Sequence, residues 1–135
     1  MSPKRFLVQE MVAGGTQLIL GMHRDALGTA ILLGTGGVTA ELLKDTTLCL
    51  LPPQGGLSRE DALALARRLK TWPLLDGFRG RPKADVDALV SAIVGFSQMA
   101  DQLGERLVEA EINPLFVLPA GQGVRAADGV AVLRN

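Results

Sequence analysis

Residues Leu107 to Asn135 read LVEAEINPLFVLPAGQGVRAADGVAVLRN, and the pattern in this stretch decides the fold. With a period of two, Leu107, Glu109, Glu111 and Asn113 share one face of a strand, while Val108, Ala110 and Ile112 share the other. One face is apolar and suits a core; the other carries two carboxylates and an amide. Pro119-Ala120-Gly121-Gln122-Gly123 supplies turn chemistry, and Val124 to Leu133 reads as a returning strand. A loop from Pro119 to Gln122 pairs Leu118 with Gly123, and counting back along both strands sets Asn113 opposite Asp128. Opposed side chains of an antiparallel pair have Cβ atoms roughly 4.5–5.5 Å apart. Two oxygen donors at that spacing suit one hard cation such as Mg²⁺, which keeps most of its waters and takes one or two protein oxygens. The competing reading is that Asn113-Pro114 only breaks a strand and Asp128 only decorates an edge.

The chain outside the hairpin sets the class. At 135 residues it is expected to form a single domain, residues 1–135, long enough to bury an ordinary core. An apolar content of 47% against 21% charged residues places it among globular proteins. Lys+Arg and Asp+Glu balance at 14 each, so no overall field draws the chain to nucleic acid or an acidic membrane. Four Phe, one Trp and no Tyr leave little for base stacking. No run approaches the ~20 apolar residues of a membrane span, and the start, Met1-Ser2-Pro3-Lys4-Arg5, lacks a signal-peptide core. A cytoplasmic protein without nucleic-acid or membrane partners is expected. The lone Cys49, in Thr47-Leu48-Cys49-Leu50-Leu51, reads as a buried structural thiol.

In chain order, Phe6–Val12 reads as a strand, Gln17–His23 as its return and Gly28–Gly34 as a third. Val38 to Asp45 leads into a fourth, Thr46–Leu51, and Pro52-Pro53-Gln54-Gly55-Gly56 breaks the pattern. Ser58 begins a helix with Asp61 three residues on, as in a capping box, and Ala62, Leu65, Ala66 and Leu69 form its apolar stripe. Trp72-Pro73 is expected to end it. A longer helix spans about Asp85 to Leu103, with Val86, Leu89, Ile93, Phe96, Ala100 and Leu103 on one side and Gly104 closing it. Four strands, two helices and two strands predict an α+β domain, a largely antiparallel sheet with two helices on one face.

Other candidates are less specific. Gly34-Thr35-Gly36-Gly37 offers consecutive backbone N–H groups that would suit a phosphate, but it matches neither a P-loop nor a dinucleotide-binding turn, and a plain tight turn explains it as well. His23, the only histidine, has no nucleophile placed near it, so a charged strand end outweighs a catalytic base. No His/Cys cluster supports zinc. Arg79 and Arg81 form a basic loop that suits a carboxylate or phosphate, or is simply solvated. Glu109 and Glu111 are either a like-charged pair with shifted pKa values or the wet side of a strand.

Five motifs then occur in order: LVQEMVAGG (7–15), LLGTGGVTAELLKD (32–45), WPLLDGFRGRP (72–82) with Asp85 and Asp87-Ala88-Leu89 just after, EAEINPLFVLP (109–119) and AADG (126–129). Together they resemble the C-terminal part of the ATP-grasp domain of NDP-forming acyl-CoA synthetases, relatives of the succinyl-CoA synthetase β subunit. The resemblance implies the interconversion of acyl-CoA, nucleoside diphosphate and phosphate with acid, CoA and nucleoside triphosphate. It implies ATP, or another nucleoside triphosphate, and Mg²⁺ as cofactors. Gln9 to Val12 match the hinge whose backbone meets the adenine edge, which makes Glu10, Met11 and Val12 nucleotide-binding. Gln17 stands where relatives carry an acid near the ribose. Asn113 and Asp128 match the pair of Mg²⁺ ligands.

The sequence also departs from the family pattern. Gln17 is an amide, the turn Arg24-Asp25-Ala26-Leu27-Gly28-Thr29 is one residue shorter than RDPxFGP and lacks its proline, and Gly129 follows Asp128 where Ala is usual. The N-terminal ATP-grasp lobe, with its phosphate-gripping lysines, and the CoA-binding and ligase domains are absent from this sequence. They are the expected partners, in the same polypeptide or as separate subunits. His23 does not match the phosphoryl-carrying histidine, so no catalytic residue is assigned here. The alternative is a non-catalytic ATP-grasp-like regulatory or assembly module. A third reading is an α+β interaction domain docking a partner on an apolar sheet face, against which Glu109, Glu111 and Asn113 argue. The acyl group, the choice of ATP or GTP and the oligomeric state, a homo-oligomer included, stay open.

Overall fold

The computed structural model describes residues 15–36 and 44–134. The expected strand Phe6–Val12, with Glu10, Met11 and Val12, lies outside them, as does most of the stretch from Val38 to Asp45. Within them the chain forms β1 (Thr16–Asp25), β2 (Gly28–Thr35), β3 (Thr46–Leu50), helices α1 (Arg59–Arg67), α2 (Trp72–Leu75) and α3 (Val86–Leu103), then β4 (Leu107–Val117), β5 (Val124–Ala126) and β6 (Gly129–Leu133). The six strands make one sheet in the order β3-β2-β1-β4-β5, with β6 also on β4, and every pairing is antiparallel. This is the α+β class that the element order predicts.

Alternation along the strands gives the sheet one covered and one open face. Leu18, Leu20 and Met22 of β1 pair with Thr35, Leu33 and Ile31 of β2, and all six are buried. Against them pack Leu65 of α1 and Leu89 and Ile93 of α3, so the helices cover this face alone. The stripe Ala62, Leu65, Ala66 and Leu69 is buried as its spacing requires. The Ser58 side chain caps α1 by accepting from the Asp61 amide at 3.1 Å. On edge strand β3, Thr47 turns inward and donates to the Leu65 carbonyl at 2.9 Å, while Leu48 and Leu50 face out. Cys49 is a free, half-buried thiol; burial pushes its pKa up, the Asp61 charge adds to that, and Arg68 opposes it. No helix among the described residues is long and apolar enough to cross a membrane.

Three expectations are corrected. Trp72-Pro73 does not simply stop a helix; it begins the short α2, because a proline is tolerated in a first helical turn, where its missing N–H has no partner to lose. The returning strand is interrupted at Ala127-Asp128 and becomes β5 and β6. The simple alternation of β4 also fails at its start. Leu107 pairs with Leu133 but Glu109 pairs with Val132, so Val108 is an extra residue in a bulge. The bulge turns Leu107 into the core, where it is fully buried, and leaves Val108 exposed. Leu107 therefore does not share the face of Glu109 and Glu111.

α3 does more than fill the core. Its N-cap, Asp85, accepts from the Ala88 amide at 3.1 Å and also from Gly121 and Gly123 in the β4–β5 turn, at 3.1 and 2.8 Å. The Asp85 amide donates to the Leu118 carbonyl at 2.7 Å, and the Ala120 amide to the Lys83 carbonyl at 2.9 Å. The hairpin turn is thus held by the start of the central helix.

Two measurements test this layout. Ile31→Ala, on the covered face, is expected to cost about 2–5 kcal/mol through lost burial and a residual cavity, whereas Leu48→Ala, on the open face of a neighbouring strand, stays within about 0.5 kcal/mol. Urea unfolding of both variants checks the difference, and comparable losses would reverse the assignment of faces. Hydrogen bonds from the Ala88 amide first, then from Gly123 and Gly121, outweigh the effect of burial and hold the Asp85 carboxyl below the usual carboxylate range. Its stabilisation is therefore complete above the unfolded value of about 3.9 and fades as pH falls through the lower folded value. Asp85→Asn is expected to lower the melting temperature at neutral pH, with the gap to wild type closing below about pH 4. Melting curves across that range check it; a gap independent of pH would assign the effect to shape and not to charge.

Candidate functional site

The open face of the sheet gathers the polar residues of the central strands. β1 contributes Gln17 and His23, both exposed, and β4 contributes Glu109, Glu111 and Asn113, also exposed. The hairpin register is the one that the turn dictates. Leu118 donates to the Gly123 carbonyl at 3.0 Å, and Val117, Phe116 and Leu115 pair with Val124, Arg125 and Ala126. The same register carries through to Ile112 and Gly129. Between these pairs the Asn113 amide donates to the Asp128 carbonyl at 3.1 Å, so the two residues stand directly opposed.

A second irregularity adjusts the strand at this point. Along β1, Leu18 pairs with Leu115 but Leu20 with Ile112, which leaves Asn113 and Pro114 together opposite Ile19. The Asn113-Pro114 peptide is cis. Past the bulge the alternation restarts with Leu115 and Val117 in the core, and before it Ala110 is buried and Ile112 half-buried. Asn113 thereby stays with Glu109 and Glu111 on the open side while β4 remains one element. Asp128 uses one carboxylate oxygen to accept from the Gly129 amide at 2.8 Å, which fixes the side chain and leaves the other oxygen available.

Elsewhere on the same face lies a hollow of about 290 Å³, walled by Ile19, Leu32, Thr46, Glu109 and Glu111, with Gly21 and Gly34 in its lining. A Cβ on Gly34 would come within 3.1 Å of the Thr46 hydroxyl and 3.3 Å of the Asp45 carbonyl. Glycine there lets β2 and β3 approach and keeps the hollow open. The open face is acidic at Glu109, Glu111 and Asp128, whose oxygens no ion pair among the described residues engages.

Gln17 starts β1 beside this surface. It pairs with Phe116, and its carbonyl accepts from the Gly36 amide at 2.8 Å. Phe116 is three residues from Asn113, about 10 Å at strand rise. The structure thus brings Gln17 on β1 beside Asn113 on β4, with Asp128 opposite Asn113 in the break between β5 and β6; Glu10, Met11 and Val12 lie outside the described residues. His23 lies near the end of β1 on the open side, 3.6 Å from the Asp25 carboxylate, and is well exposed, as the polar strand end expected from the sequence should be.

The remaining candidates resolve differently. The amides of Thr35 and Gly36 are already spent on the Asp45 and Gln17 carbonyls at 2.9 and 2.8 Å, so this part of the glycine-rich stretch is strand backbone and not a phosphate nest. Arg79 stacks on Phe78, 5.2 Å from the ring centroid, in an exposed turn. Arg81 lines a separate groove of about 240 Å³ with Leu74, Ala84 and Val117. Neither arginine joins the hollow beside Glu109 and Glu111. Glu109 and Glu111 form the wet side of β4. No group of three or more His, Cys, Asp or Glu side chains is placed to hold a metal among the described residues. The oxygen set of Asn113 and Asp128 suits a hard, largely hydrated cation such as Mg²⁺, and not zinc.

Sequence reasoning missed Asp45, which is 4% exposed. Burial works to raise its carboxyl pKa, but hydrogen bonds from the Thr35 hydroxyl and from the Lys70 and Thr71 amides outweigh that and hold it low. Its partners lie on β2 and just before α2, so no local pattern reveals it.

Comparison with known proteins agrees with this architecture. A family model described as an ATP-grasp domain matches residues 2–133. The beta subunit of ADP-forming acetate–CoA ligase II from Pyrococcus furiosus is 33% identical over 130 residues, covering 96% of this chain and 53% of that subunit. A crystal structure from Pyrococcus horikoshii superposes with a TM-score of 0.82 at 33% identity, over 92% of this chain and 51% of the other. A dinucleotide-forming acetyl-coenzyme A synthetase from Ca. Korarchaeum cryptofilum, solved with coenzyme A and Mg-AMPPCP and with its phosphohistidine segment pointing towards the nucleotide-binding site, superposes with a TM-score of 0.76 at 31% identity. That match covers 89% of this chain and 54% of the other. The chain spans about half the length of each of these relatives. Matched almost end to end by one domain model, and folded like the corresponding half of these enzymes, the chain belongs to the ATP-grasp domain family in the form carried by ADP-forming acyl-CoA synthetases.

Proposed function

We propose that this chain is the C-terminal lobe of an ATP-grasp domain, a single domain over residues 1–135, and that it holds half of the nucleotide and Mg²⁺ site of an acyl-CoA synthetase. The enzyme would interconvert acyl-CoA, NDP and phosphate with acid, CoA and NTP. The observation that carries this reading is the opposition of Asn113 and Asp128 across the β4 hairpin, on the open face of the sheet. An amide oxygen and a carboxylate oxygen there fit one Mg²⁺ and its remaining waters. A bound Mg²⁺ supplies charge neutralisation for the terminal phosphates.

This chain's own residues would do the positioning. Asn113 and Asp128 hold their oxygens on a strand pair whose register is fixed from the core. Gln17, on the adjacent strand, takes the sugar end of the nucleotide, where its amide offers a hydrogen bond and no charge. The backbone of Glu10, Met11 and Val12 takes the base edge. Glu109 and Glu111 add negative charge to the face, which makes a metal-free triphosphate unwelcome and so ties binding to the divalent cation. On this face Arg125 stands opposite Phe116 and is already engaged with the Val124 carbonyl, and further cations are needed to grip the phosphates directly. An N-terminal ATP-grasp lobe, with CoA-binding and ligase domains, would provide them, in the same polypeptide or as separate subunits. That relatives such as the Pyrococcus furiosus beta subunit are about twice as long as this chain supports such partners.

Two outcomes test the reading. Titration calorimetry with ATP and Mg²⁺ is expected to show weak binding that disappears on chelation and weakens roughly tenfold or more in Asn113→Ala and Asp128→Ala, since losing a metal ligand costs at least as much as losing a ligand's outer partner. Equal affinity in both variants and wild type would remove the metal site. The chain alone is expected not to turn over; robust acid-, CoA- and ATP-dependent activity of the purified chain would overturn its assignment as half a cleft.

A further inference from the structure

Asp45 is the most heavily hydrogen-bonded carboxylate of the described residues whose role the site does not yet use. It is nearly buried, and its carboxylate accepts from the Thr35 hydroxyl at 2.6 Å, the Lys70 amide at 2.7 Å and the Thr71 amide at 3.0 Å. The hydroxyls of Thr35 and Thr71, themselves buried, sit 3.1 Å apart. Backbone bonds extend the cluster, from the Thr35 amide to the Asp45 carbonyl at 2.9 Å and from the next amide, Gly36, to the Gln17 carbonyl at 2.8 Å. Lys44, just before Asp45, holds a positive φ of 47°, a conformation that a residue with a side chain keeps only where its surroundings fix it. Gly36 lies so close to β1 that a Cβ would fall 3.2 Å from the Gln17 carbonyl carbon and oxygen.

One buried charge therefore fixes three pieces of chain at once: the end of β2, the entry to β3 and the turn before α2. Its reach ends on Gln17. Hydrogen bonds to an ionised, desolvated acceptor are the strong kind, and a network with every member satisfied defines one geometry. Of the bonds in the chain, only the last touches the residue at the rim of the open face.

We propose that Asp45 is a positioning residue for the sugar side of the nucleotide site, acting through Thr35 and Gly36 to hold Gln17 in place; this rests on the function proposed above. Thr35→Val keeps the shape and removes the hydroxyl, Thr35→Ser keeps the hydroxyl, and Asp45→Asn removes the charge. In the full chain, ATP·Mg affinity is measured by calorimetry at a temperature where each variant is folded, and exchange of the Gly36 amide is measured by NMR. Thr35→Val and Asp45→Asn are expected to speed Gly36 exchange and weaken ATP·Mg by about two- to thirtyfold, the range for mutations along a coupling network. Thr35→Ser is expected to match wild type. The loss should fall on ATP and not on inorganic triphosphate, which has no sugar for Gln17 to meet.

Faster Gly36 exchange and a lower melting temperature with unchanged ATP affinity would make Asp45 merely structural and overturn the proposal. Unchanged Gly36 exchange in both variants would overturn it whatever the nucleotide does, as would equal losses for ATP and triphosphate. Absence of ATP binding by the wild type would sink the nucleotide reading itself, and the Asp45 role with it; that result is told apart because it requires no variant. Should Asp45→Asn fail to fold, the Thr35 pair alone decides.

Discussion

The attachment of the β4–β5 turn to the start of α3 is the constraint on which the site depends. Side chains on a strand alternate, so a slip of one residue would send Asp128 to the opposite face and leave Asn113 facing an alanine or a glycine. A glycine-rich turn does little by itself to prevent such a slip. Here Asp85 binds the amides of Gly121 and Gly123 while its own amide holds Leu118, so the turn has one seat only. Asp85 is in turn fixed because α3 is anchored by Leu89 and Ile93, both fully buried. The apolar core thus sets the position of two polar groups that it never touches.

The two bulges in β4 serve the same end. A strand with strict alternation would have to choose between burying its first residue and exposing its carboxylates. The bulge at Val108 lets Leu107 enter the core and still presents Glu109 and Glu111 on the wet face. The bulge at Asn113-Pro114 repeats the device, since it keeps Asn113 on the open side and returns Leu115 and Val117 to the core. The strand runs along the whole sheet with its phase reset twice.

These resets also mark where reading the sequence works and where it stops. Helix α1 was legible because its cap and its stripe at Ala62, Leu65, Ala66 and Leu69 are local signals, and the same holds for α3. The register that opposes Asn113 to Asp128 follows from the turn alone, because loop length fixes pairing. The face of Leu107 was not legible, since a bulge leaves the letters unchanged and only shifts their phase. Trp72-Pro73 misled for a related reason: proline marks a boundary but does not say on which side the helix lies. Asp45 was invisible because its donors lie at positions 35, 70 and 71, brought together only by the fold.

Charge bears directly on the companion proposed for this surface. Three exposed carboxylates, Glu109, Glu111 and Asp128, stand on or beside the open face without a cation paired to them among the described residues. A triphosphate brought near them meets like charge, and Coulomb repulsion at a few ångströms amounts to about 1 kcal/mol per pair in water and several times that in a half-closed cleft. Under the proposed function, a divalent ion held by Asn113 and Asp128 would offset that charge at one point. The base and sugar would then be held by other contacts, and the outer phosphate oxygens by further cations, such as those of the proposed N-terminal lobe. The open face therefore reads as a surface built to be covered. Its polar rows would be poorly served by a purely apolar docking partner, because Glu109, Glu111 and Asn113 would lose water and gain nothing in return. A partner carrying lysines and enclosing a nucleotide would meet each of these demands.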